Sequence, residues 1–81
     1  MILLLASAED IAGMNIAEQI IKLNSFEKTE QTFNGNPVYA QWVNNQQVFL
    51  AFTTKAITET QKITEFFQPE LIVFLSRHAS Q

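Results

Sequence analysis

Residues 2–10 read Ile2-Leu3-Leu4-Leu5-Ala6-Ser7-Ala8-Glu9-Asp10, an unbroken apolar run that turns polar within one residue. The run is too short for a helix of its own. An apolar stretch of this length without alternation is the pattern of a strand covered on both faces, and such strands belong to parallel sheets flanked by helices. A second run of the same kind, Leu71-Ile72-Val73-Phe74-Leu75, lies near the other end and breaks equally abruptly into Ser76-Arg77-His78. Two such strands, separated by helical and alternating segments, predict an α/β fold with these two strands central and parallel.

The segments between them complete the pattern. Ser7 has the chemistry of a helix N-cap, which would put Glu9 and Asp10 in the first turn, where the helix dipole favours acids. From Ile11 to Leu23 the apolar positions repeat at helical spacing, with Ile16, Ile20 and Leu23 in one row and Met14, Ala17 and Ile21 in the next. Gly13 costs such a helix about 1 kcal/mol relative to Ala, so it serves either close packing or an accessible backbone near the helix start. Asn24-Ser25 ends the helix. Phe26–Phe33 reads as an exposed strand, and Asn34-Gly35-Asn36-Pro37 as a turn. Val38–Val43 and Gln47–Thr53 are strands joined by a hairpin at Asn44-Asn45. Thr58-Glu59-Thr60-Gln61 has the form of a capping box. It announces a short helix with Ile63, Phe66 and Phe67 inward, ended by Pro69. The order is β-α-β-β-β-α-β in a mixed open sheet, and residues 1–81 read as a single α/β domain.

Composition narrows the function classes. Nearly half of the 81 residues are hydrophobic and seven are Phe, enough for one core and against disorder. The formal charge is −3, with the four lysines scattered, so no basic run forms an electrostatic nucleic-acid footprint; any contact with RNA would be local. The absence of Cys removes disulfides and thiolate zinc sites. Ile2–Ala6 is far too short to span a bilayer and lacks the basic leader of a signal peptide. The expectation is a soluble cytoplasmic protein.

In open α/β sheets ligands bind beyond the carboxyl ends of the parallel strands. Here those ends carry Ser7, Glu9 and Asp10, with Asn15 a turn further on, and Ser76, Arg77 and His78. Arg77 and His78 are the only arginine and histidine in the chain. Each has an ordinary reading beside the functional one. Ser7 serves as a cap, Glu9 and Asp10 complement a helix dipole, and Arg77 and His78 are solvated residues after a strand. Tyr39 and Trp42 could stack on bases, but core or hairpin packing accounts for them as well. No phosphate-binding glycine loop, metal-ligand pair at helical spacing or nucleophile elbow is present.

Two stretches shift that balance. Ser7-Ala8-Glu9-Asp10-Ile11-Ala12-Gly13-Met14-Asn15-Ile16 resembles the opening of the archaeal and plant type of D-aminoacyl-tRNA deacylase, a strand followed by Ser-x-x-Asp-x-Ala-Gly-x-Asn-Ile. Phe74-Leu75-Ser76-Arg77-His78-Ala79-Ser80 looks like the same family's Phe-Leu-Ser-Arg-His-x-Ser segment. The resemblance implies a hydrolase that cleaves the ester between a D-amino acid and tRNA. It also implies a fold similar to phosphorylase and peptidyl-tRNA hydrolase-like α/β domains, and an association with zinc, which could polarise an ester carbonyl or supply hydroxide. On that view His78 is a metal ligand or acid/base group. Asp10 is a second ligand or orients the imidazole. Arg77 holds a phosphate or the ester oxygen, and Ser7, Asn15 and Ser76 bind substrate.

The chain also departs from the family. Ile11 stands where the family commonly has Pro. Family members are considerably longer and continue through a Thr-Val-His segment. The expectation is therefore an N-terminal fragment or short relative, with a zinc site short of the usual three or four protein ligands. Its last strand would lack neighbours and would invite homo-oligomerisation through an exposed sheet edge. The alternative expectation is a non-catalytic truncated relative acting as an oligomerisation or protein-interaction domain.

Overall fold

The computed structural model describes residues 1–54 and 60–76. The elements follow the expected order: β1 (Ile2–Ser7), α1 (Ile11–Leu23), β2 (Glu27–Phe33), β3 (Asn36–Val43), β4 (Gln46–Thr53), α2 (Thr60–Phe67) and β5 (Leu71–Phe74). Among the described residues, five strands form one mixed sheet in the order β2-β3-β4-β1-β5. β1 runs parallel to both neighbours, with Leu5 in register with Ala51 on one side and Phe74 on the other. β2, β3 and β4 form an antiparallel meander.

Turn chemistry sets the meander's register. Two residues separate β2 from β3 and two separate β3 from β4. Asn34 and Gly35 have φ of 52° and 77°, and Asn44 and Asn45 have φ of 50° and 64°. Positive φ at both central residues is the type I′ geometry, whose twist matches that of paired strands, and Asn and Gly reach it at least cost. The strands accordingly close on Phe33 opposite Asn36 and Val43 opposite Gln46.

Strand alternation divides the core between the two sheet faces. Leu3 and Leu5 point to the side where Phe33, Val38 and Ala51 meet Ile63 and Phe67 of α2. Ala6, Val48, Leu50 and Phe52 point to the other side, against Ala17 of α1, with Leu4, Ile16, Ile20 and Ile21 packed around them. Past the end of α1 the Gln41 side chain of β3 donates to the carbonyls of the C-cap Asn24 (2.8 Å) and of Ser25 (3.0 Å), so the carbonyls of the chain leaving the helix are satisfied from the sheet.

The structure corrects several expectations. The α1 N-cap is Asp10, not Ser7: its Oδ1 accepts from Ala12 N at 3.1 Å, and no acidic residue lies in the first helical turn. Ser7 is still a strand residue, paired with Thr53, and Ala8-Glu9 form the turn that follows. Leu23, expected in an inward row, is exposed at the last residue of α1. Phe66, also expected inward, is half exposed. Ile63 and Phe67 stand four residues apart on the buried side, and Phe66 leans from the flank against Phe33 and Phe67 with ring centroids 5.5 and 4.8 Å away. Thr58 and Glu59 of the expected capping box lie outside the described residues. α2 ends as expected, with Gln68 at φ 51° followed by Pro69. Tyr39 packs edge-on to Phe52, but Trp42 is 65% exposed.

The largest correction concerns β5. It is the parallel neighbour of β1, as expected; the apolar pattern put it at the centre, but it stands at the sheet edge, where the shortness of the chain relative to the family led it to be expected, and Leu71, Val73 and Phe74 are exposed. Among the described residues, no strand pairs with its outer side.

Candidate functional site

β1, β4 and β5 are parallel to one another, so their carboxyl ends share one rim of the sheet. Ser7 closes β1, in register with Thr53, the last residue of β4. Ala8 N donates to Thr53 O at 2.7 Å, and Leu75 N donates to Leu5 O at 2.8 Å, which brings the end of β5 against the end of β1.

Ser7 holds the turn between strand and helix. Its Oγ accepts from Glu9 N at 3.3 Å and its carbonyl accepts from Asp10 N at 3.0 Å. Asp10 caps the helix with its side chain while its carbonyl accepts from Met14 N at 2.9 Å. Both residues are half-buried.

Gly13 explains how the two strand ends meet. It is buried, and a Cβ added to it would overlap the backbone carbonyl oxygen of Leu75 and sit 3.0 Å from Asp10 Oδ2. The close-packing reading of Gly13 is therefore the correct one: only a residue without a side chain lets the first turn of α1 lie against the chain leaving β5. Ser76 follows directly and is half-buried beside this contact.

Ser7, Asp10 and Ser76 are thus gathered at one rim. Asn15 is not brought to them. It is exposed, and at 100° per residue it stands on the side of α1 opposite Gly13 and Ala17. Arg77 and His78 lie outside the described residues. One rim residue was missed by sequence reading: Thr53, fully buried at the end of β4. A polar residue closing an otherwise apolar strand was the available signal for Thr53.

The resemblance implies zinc at this rim, with His78 and Asp10 as ligands; His78 lies outside the described residues. Among the described residues no three His, Cys, Asp or Glu side chains come together to hold a metal, and Asp10 already spends one carboxylate oxygen on the cap. The described residues do not by themselves make up a zinc site. Away from the rim, Trp42 lines an open cleft of about 370 Å³ with Glu27, Lys28, Thr29, Ala40 and Gln41. A second cleft of about 440 Å³ lies between Phe33-Asn34 and α2.

No family model matches the chain. Its relatives are informative. It is 32% identical over 84 residues to the D-aminoacyl-tRNA deacylase of Thermococcus onnurineus, covering 96% of this chain and 29% of that protein. It is 36% identical over 77 residues to the deacylase of Pyrococcus furiosus, covering 88% of this chain and 27% of that protein. The deacylase of Pyrococcus abyssi is 33% identical over 78 residues, with 89% and 27% covered. The chain is a relative of the archaeal D-aminoacyl-tRNA deacylases. The match is to their N-terminal part, and the chain spans less than a third of their length. Among the described residues no helix is long and apolar enough to cross a membrane.

Proposed function

We propose that this chain contributes the strand-end rim of a site that hydrolyses the ester between a D-amino acid and tRNA. The names of the relatives support the reaction class. The observation that supports the placement is the Leu75 N to Leu5 O hydrogen bond, which joins the end of β5 to the end of β1.

In this reading water adds to the ester carbonyl carbon, the bond from that carbon to the ribose oxygen breaks, and the ribose oxygen takes a proton as the D-amino acid leaves. His78 serves as acid/base, and Arg77 stabilises the ester oxygen or the terminal phosphate. Ser7 and Ser76 bind substrate, and Asp10 orients the His78 imidazole. Asn15 belongs to the proposal as a substrate contact from the outer side of α1. The sheet belongs to it as the N-terminal portion of a phosphorylase or peptidyl-tRNA hydrolase-like domain. The compartment proposed for the reaction is the cytoplasm.

The test is release of D-tyrosine from D-tyrosyl-tRNA, with L-tyrosyl-tRNA as control. It is measured on this chain and on a fusion that substitutes it for the matched segment of the Pyrococcus furiosus relative. The expected result is release of the D-ester alone, abolished by His78→Ala; a chelator arm tests the zinc. A folded fusion that releases neither ester, or both equally, overturns the proposal.

A further inference from the structure

We propose that the cleft between the β2–β3 turn and α2 is a subsite for an unpaired nucleotide at the 3′ end of tRNA, with the base on Phe66 and a phosphate on Lys62. The inference rests on the proposed tRNA ester substrate, and adds a second place at which this chain holds it.

Register puts this cleft at the same end of the sheet as the strand-end rim. Phe33, which lines it, pairs with Asn36. The β3–β4 register, with Tyr39 opposite Leu50, carries Asn36 to the level of Thr53, and Thr53 pairs with Ser7. The face is shared as well. By alternation Ser7 lies on the side of Leu3 and Leu5, whose cluster includes Phe33, Ile63 and Phe67. In the strand order β2-β3-β4-β1 the cleft stands three strand spacings, about 14 Å, from Ser7. An ester held at the rim leaves the nucleotides just upstream of it within reach of the cleft.

The lining suits a nucleotide. Thr32, Phe33, Asn34, Lys62, Glu65 and Phe66 line about 440 Å³ of open cleft. Lys62 and Phe66 are four residues apart and so share a side of α2. Phe66 is 51% exposed, and Phe33 and Phe67 hold its ring from one side, with centroids 5.5 and 4.8 Å away. An aromatic side chain that is already held loses little freedom when a base stacks on it. Lys62 is exposed, and among the described residues no carboxylate pairs with it. Glu65, its neighbour in the cleft, accepts instead from Gln61 Nε2 at 3.3 Å. That leaves the ammonium for a phosphate. A contact of this kind is local and needs no basic run, in keeping with the scattered lysines. Another lysine and exposed aromatic, Lys28 and Trp42, line the cleft at the opposite end of the sheet. Trp42 pairs with Gln47, about 20 Å down β4 from Thr53, and so provides the internal comparison.

Amide chemical shifts of this chain, titrated with a short single-stranded RNA carrying the 3′ sequence shared by tRNAs, test the proposal. The RNA has no ester, so binding is read apart from hydrolysis. The expected result is saturable shifts at residues 32–34 and 62–66, with a monomeric mass by sedimentation. Phe66→Leu keeps apolar packing but removes the stacking face, and weakens binding about 10-fold. Lys62→Gln lowers the slope of log affinity against log salt by about 0.7. Lys62 is exposed, so that variant keeps the test open should Phe66→Leu fail to fold. Absence of shifts in both segments at millimolar RNA overturns the proposal, as do shifts centred on Lys28 and Trp42. So do shifts that follow protein concentration with a doubled mass, because a second copy then occupies the cleft. Binding by this chain, when its fusion with the Pyrococcus furiosus relative hydrolyses neither ester, leaves this inference standing and removes the functional one. Hydrolysis by that fusion with KM unchanged in both variants removes this inference and leaves the function.

Discussion

β1 and β5 are built from almost the same kinds of residue and lie side by side, yet they occupy opposite environments. β1 has a parallel strand on each side, and Leu3, Leu5 and Ala6 are fully or nearly fully buried. β5 has one neighbour among the described residues and leaves three of its four side chains substantially exposed. Apolar content is therefore a statement about what a strand can bury, and pairing decides what it does bury. The difference also separates two roles at the rim. β1 is held from every side and sets the position of Ser7, whereas β5 is held by β1 and by the contact of Gly13 with the Leu75 carbonyl.

The sharpest way to break this comparison is Leu5→Ala. The side chain is buried in the α2-side core, and its loss is expected to cost about 2–5 kcal/mol, read as a drop in the urea midpoint. For a domain of this size that is a large part of the total stability. A cost below about 1 kcal/mol would mean that β1 is no better held than β5.

Gly13→Ala sharpens the comparison at the junction of the two strands. Helix propensity alone predicts a gain of about 1 kcal/mol. The added methyl meets the Leu75 carbonyl, which is backbone and cannot swing aside, so a net loss of about 1–2 kcal/mol is expected. A stabilised variant in thermal unfolding would show that the chain leaving β5 can retreat from α1.

Asp10→Ala removes the cap and is expected to cost about 1 kcal/mol. Ser7→Ala, which loses only an exposed 3.3 Å hydrogen bond to Glu9 N, should stay within about 0.5 kcal/mol. Equal losses from the two in denaturant titrations would return Ser7 to the capping role. The smallest effect is expected at β5. Val73→Ser in this chain should change stability by no more than about 0.5 kcal/mol.

Legibility followed the range of the interactions involved. The hairpins at Asn34-Gly35 and Asn44-Asn45 were readable because a type I′ turn is a local demand on φ. α1 was readable because its periodicity is strong. The candidate rim was half legible. Ser7, Asp10 and Ser76 could be assigned to strand ends from their order in the chain, and the parallel pairing of β1 and β5 brings those ends together. The choice of Asp10 over Ser7 as cap could not be read in that way. It depends on how far β1 stays paired with β4, and Ser7 remains in register with Thr53.

By itself the sequence determined the seven elements, their order, the two hairpin turns and the kinship with the archaeal deacylases, because each is encoded in residues close together along the chain or in motifs a relative shares. Only the tertiary structure decided which side chains of β5 stay exposed, that Gly13 makes room for the Leu75 carbonyl, that Phe66 and Trp42 face solvent, and that Asn15 points away from the rim. Each of these depends on which distant segment lies alongside, and neither hydrophobic periodicity nor turn chemistry carries that information.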